Sequence, residues 1–60
     1  MKFTNLVVPI SRCNVGEYLR LSKTEQIVQL VEKGLFCRVR LIQGGYSDIE
    51  PNRRVHRKID

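Results

Sequence analysis

No apolar stretch of this chain approaches the roughly 18 residues that a membrane-spanning helix needs, so a role inside a bilayer is not expected. The first ten residues carry a single Lys and too short an apolar run for a good signal peptide, which points to a cytoplasmic protein. Histidine is scarce, with only His56. The two cysteines, Cys13 and Cys37, are far apart and form neither a CxxC pair nor a zinc-ligand spacing. No metal or other cofactor is expected, and the thiols read as semi-buried groups in a reduced compartment; a disulfide between them would require export. Close carboxylate pairs and an activated nucleophile are also missing, so the chain does not read as an enzyme. Internal repeats and low-complexity segments are absent.

What is present is small and basic. Sixty residues make one domain, residues 1–60, and a chain this short buries only about 60% of its unfolded surface. Stability is expected to lean on a second copy or a ligand. Eleven basic and six acidic side chains give a net charge of +5, which suits a polyanion such as nucleic acid.

The strongest local pattern runs from Ser22 to Gly34 and predicts a helix. Ser22 and Glu25 have capping-box spacing, Gly34 suits a left-handed helix end, and Lys33 favours the last turn. Ile27, Leu30 and Val31 recur at i, i+3, i+4 as one apolar stripe, leaving Thr24, Glu25, Gln26, Gln29 and Lys33 largely off it. Such a helix, about 16 Å long at about 1.5 Å per residue, has the dimensions to enter a DNA major groove.

Around it, residues 2–10 read as an extended arm or strand that Pro9 bends or places at an edge. Residues 11–19 are ambiguous: Ser11 or Asn14 could start a short helix bearing Val15, Tyr18 and Leu19, while Glu17–Leu21 could equally be a strand. The helix is favoured. After Gly34 the period changes to two. Phe36, Arg38 and Arg40 alternate with Cys37, Val39 and Leu41, and Gly44-Gly45 suits a hairpin turn leading to a return strand through Tyr46–Ile49. Pro51 then opens a basic tail with Arg53, Arg54, Arg57 and Lys58, in which Val55 and Ile59 have the spacing of a terminal helical turn.

Residues 11–51 resemble the excisionase-type DNA-binding family, the small MerR-like winged helix-turn-helix of phage excisionases and of Cox- and AlpA-type regulators. The resemblance is carried by Val15–Thr24, by Ile27–Phe36, and by Val39–Leu41 followed by Gly44-Gly45. It implies an α+β fold with two short helices, a β-hairpin wing and an extended N-terminal arm. The implied partner is double-stranded DNA, with self-association or cooperative assembly on the DNA, a site-specific recombinase as a further partner, and no membrane. The implied role is excision, transcriptional repression or both.

In that arrangement Lys23, Glu25, Gln26 and Gln29 reach base edges, and Ser22 and Thr24 hold a phosphate with the helix N-terminus. Lys33 lies at the same helix's far end. Arg38, Arg40 and the Gly44-Gly45 tip hold flanking backbone, and Arg53, Arg54, Arg57 and Lys58 neutralise phosphates. One alternative is a ribbon-helix-helix regulator reading DNA through Lys2, Thr4 and Asn5. Another is a small inhibitor or adaptor, built from a strand, a helix and a hairpin, that docks a protein by strand addition.

Overall fold

The computed structural model describes residues 1–59, and it contains no α-helix among them. Six strands form one antiparallel sheet: β1 (Val8–Pro9), β2 (Tyr18–Leu21), β3 (Ile27–Lys33), β4 (Cys37–Leu41), β5 (Tyr46–Ile49) and β6 (Arg54–Arg57). The spatial order is β1-β6-β2-β3-β4-β5, so β2 to β5 meander through successive hairpins and β6 returns to lie between β1 and β2. A 3₁₀ turn, Ile10–Arg12, follows β1.

This corrects the winged helix-turn-helix expectation and removes both helices on which it depended. The ribbon-helix-helix alternative loses its helices too. The segment from Ser22 to Gly34 divides into a hairpin loop and a strand. Along β3 the side chains alternate, with Val28 and Leu30 buried and Ile27, Gln29 and Val31 only half-buried. The stripe of Ile27, Leu30 and Val31 is therefore split between two faces. Three β-branched residues within five positions favour the pleated backbone, where branched side chains pack well. Ser22 and Glu25 do not cap a helix. Instead Leu21 and Gln26 close the loop (Leu21 N–H to Gln26 carbonyl, 2.8 Å), and Lys23 and Glu25 take left-handed φ values of 75° and 58°.

The first predicted helix is replaced in the same way. Glu17 does interact with Asn14, three residues back, but as a turn. Its carboxylate accepts the Asn14 amide (2.6 Å) and its own amide donates to the Asn14 carbonyl (3.1 Å). Gly16, at φ 100°, supplies the left-handed step. Strand β2 begins immediately after, so the strand alternative for residues 17–21 describes this segment. The expected helical turn of the tail is strand β6, whose Val55 is fully buried while Ile59 is exposed.

A single sheet can hide a core only by curving around its own inner face, and this one does. Ile10, Cys13, Leu19, Leu21, Val28, Leu30, Cys37, Val39 and Val55 form the buried cluster, with Val8, Leu41 and Ile49 packed against it. Among the described residues, none of the buried ones is polar or charged. A register shift between Leu30 and Glu32 bends β3, as a bulge does. The 3₁₀ turn prolongs the β1–β6 pairing, its Ile10 and Ser11 amides donating to the Arg53 and Pro51 carbonyls (2.8 and 3.0 Å). Lys33 fastens the other side of that turn, its Nζ donating to the Ser11 and Cys13 carbonyls at 3.1 and 2.9 Å. The N-terminal arm runs along β6 by a bridge between Phe3 and Lys58 and by the Thr4 amide bonded to the Arg57 carbonyl (2.9 Å).

Candidate nucleic-acid interface

Alternation fixes which side chains leave the core. On β2 these are Tyr18 and Arg20, on β3 Ile27 and Gln29, on β4 Arg38 and Arg40, and on β5 Tyr46 and Asp48. Register then aligns them across the sheet. Tyr18 is opposite Gln29, Gln29 opposite Arg40, and Arg40 opposite Tyr46. Directly opposed residues share a face, so one outer row reads Tyr18, Gln29, Arg40, Tyr46. At about 4.8 Å per strand the row spans about 14 Å along the sheet.

The row is held in place by its own hydrogen bonds. The Gln29 amide nitrogen donates to the Gly16 carbonyl (3.2 Å), which orients its oxygen outward. That oxygen accepts both Nε (3.2 Å) and Nη2 (2.7 Å) of Arg40. The guanidinium is thus held by a neutral acceptor in a row that has an aromatic residue at each end, and no carboxylate among the described residues pairs with it. Tyr46 is 65% exposed.

A second outer row lies one step along, where Arg38 faces Asp48 and Glu32. Arg38 Nε donates to Asp48 Oδ1 at 3.1 Å, which raises the Arg38 pKa above its ordinary value. On the other side of the Tyr row, Arg20 sits opposite His56 with its guanidinium 5.6 Å from the centre of the Phe3 ring. Its Nε is buried and takes no hydrogen bond among the described residues. The His56 ring binds the Thr4 carbonyl through Nδ1 (2.8 Å) and so pins the arm that carries Phe3.

The residues expected to touch DNA are dispersed by this fold. Ser22, Lys23, Thr24, Glu25 and Gln26 occupy the β2–β3 loop rather than a reading helix. Gln29, Arg38 and Arg40 are brought together on the outer face. Lys33 is exposed, with its Nζ on the Ser11 and Cys13 carbonyls. Gly44 and Gly45, at φ 115° and 87°, do form the tip of the β4–β5 hairpin. Arg53 lies before β6, with Nη2 on the Ser22 carbonyl (3.0 Å). Arg54 is exposed on β6, and Lys58 bridges to Phe3.

Arg57 is committed to Glu17, with Nε on Oε1 (2.9 Å) and Nη2 on Oε2 (2.8 Å). That fork holds the Glu17 carboxyl below the usual carboxylate range and raises the Arg57 pKa. Burial pushes the Cys13 thiol up, and both cysteines are free and buried. Tyr18 and Tyr46 were missed as site residues. The sequence places Tyr18 with Val15 and Leu19 on one side of a short helix, and the alternation of Tyr18 and Arg20 with Leu19 and Leu21 is the signal for an outward position. No known protein family, characterised protein or solved structure matches the chain.

Proposed function

We propose that this protein binds single-stranded nucleic acid on the outer face of its sheet. The observation that carries the reading is the row Tyr18–Gln29–Arg40–Tyr46, two aromatic rings flanking a fixed guanidinium on a chain of net charge +5. Unpaired bases stack on aromatic side chains regardless of sequence, contributing about 1–3 kcal/mol per base. The Arg40 fork suits a phosphate between two stacked bases, and its Gln29 clamp removes the ordering cost at the moment of binding. Arg54, exposed on β6, adds sequence-independent attraction.

The single strand is preferred over the duplex for a physical reason. Tyr18 and Tyr46 can stack only on bases that are already unstacked, and the segment expected to enter a major groove as a helix is a loop and a strand. The excision and repression roles, which relied on that helix, are replaced by a platform for an extended strand.

The test is fluorescence anisotropy with labelled 12-nucleotide single strands, as RNA and as DNA, beside the matching duplexes at two salt concentrations. The single strands bind more tightly than the duplexes, and affinity falls as salt rises. Tight duplex binding with weak single-strand binding, or no salt-sensitive binding at all, would overturn the reading. Salt-insensitive capture of a protein with no nucleic-acid binding would favour an adaptor.

A further inference from the structure

One cavity lies on the outer face beside the Tyr row, a shallow space of about 110 Å³ lined by Arg38, Tyr46, Ser47 and Asp48. Its walls are set by register. Tyr46 and Asp48 are two apart on β5 and project from the same face, and Arg38 stands directly across from Asp48 on β4. We infer that this cavity is a base-reading pocket selective for cytosine, an inference that rests on the single-strand reading above.

The selectivity follows from how the Arg38–Asp48 pair is made. Its hydrogen bond runs from Nε to Oδ1 at 3.1 Å. Oδ2 and the two terminal amino groups of Arg38 take no other hydrogen bond among the described residues. The pocket therefore offers one acceptor beside two donors. Cytosine presents the matching edge: the N4 amino group donates to Oδ2, while N3 and O2 accept from the Arg38 fork. Guanine's Watson–Crick edge presents one acceptor and two donors, the wrong complement, and its O6/N7 edge can fill the Arg38 fork but leaves Asp48 Oδ2 without a donor. Uracil places a donor between two acceptors, and adenine supplies one donor and one ring acceptor but no third contact. Glu32, opposite Arg38 on β3, is exposed and does not line the cavity. The Tyr46 ring supplies the stacking surface on which such a base would be held.

The experiment compares two 12-nucleotide single strands by anisotropy, one all uracil and one with three central cytosines, against the wild-type chain and Asp48→Asn. The cytosine strand binds wild type roughly tenfold more tightly than the uracil strand, the low end for a good base-edge contact. In Asp48→Asn, whose amide can turn a donor toward the uracil carbonyl, the ratio falls to within about twofold. Circular dichroism confirms that the variant is folded, and Arg38→Lys, which lacks the fork, loses the ratio in the same way. Equal wild-type affinity for both strands overturns the pocket while leaving single-strand binding intact. No binding to either strand overturns both.

Discussion

Replacing Lys23 and Glu25 together by glycine separates the two architectures that the Ser22–Gly34 segment permits. Both residues sit at positive φ, 75° and 58°, in the β2–β3 loop. The left-handed region costs a non-glycine residue about 1–2 kcal/mol, while glycine there loses roughly 0.5–1 kcal/mol of extra chain entropy on folding. The difference favours the variant by roughly 0.5–1 kcal/mol per site, or about 1–2 kcal/mol for the pair. The Arg20–Glu25 contact that is lost is 4.0 Å long with Glu25 76% exposed, a geometry that contributes little. In a helix starting at Ser22 the same changes would cost about 1 kcal/mol per glycine and remove the capping box as well. Urea denaturation followed by circular dichroism decides it. The hairpin predicts a higher midpoint at unchanged slope and a melting temperature raised by about 4–15 °C. A lower midpoint would refute the loop assignment.

Other consequences are smaller. Val28→Ala or Leu30→Ala removes a fully buried side chain and costs about 2–5 kcal/mol, comparable to all that a core this size supplies. Either variant is therefore largely unfolded at 25 °C by circular dichroism, and a cooperative melt near wild type would contradict the core assignment. Glu17 has a folded-state pKa held below its ordinary value by Arg57, so its contribution is fully present above the usual carboxylate range and lost as pH falls through the folded value. Glu17→Gln should flatten that acid limb in urea midpoints measured across pH, and an unchanged limb would count against the fork. Gly44→Val forces a branched side chain to φ 115° and lowers stability by about 1–2 kcal/mol, although nothing lies within 4 Å of the added carbon. Denaturation midpoints measure this loss. Gln29→Ala frees Arg40 and weakens single-strand binding several-fold in the anisotropy assay without abolishing it.

The hairpin from Cys37 to Ile49 was legible because its signals are local: strict alternation from Phe36 to Leu41 and two glycines where two left-handed residues are needed. Residues 22–34 were not, because their pattern satisfies both periods. Ile27, Leu30 and Val31 fit i, i+3, i+4, while Val28 and Leu30 fit alternation, and Ser22 and Glu25 have the spacing of a capping box and of a hairpin loop alike. Burial against Leu19, Val39 and Val55 decides between them, and those partners come from other strands. The site suffered similarly. Gln29, Arg38 and Arg40 were selected for their chemistry, but only register shows that Gln29 clamps Arg40 between Tyr18 and Tyr46. That Arg57 belongs to Glu17, forty residues earlier in the chain, is a tertiary fact with no local trace.

Two-dimensional amide NMR of the chain titrated with a 12-nucleotide single strand tests most directly whether the outer sheet face is the binding surface. The predicted shifts concentrate at Tyr18, Gln29, Arg40 and Tyr46, with the β2–β3 loop at 22–26 little affected. Shifts confined to that loop and to the 53–58 segment, with the four row residues unmoved, would contradict it.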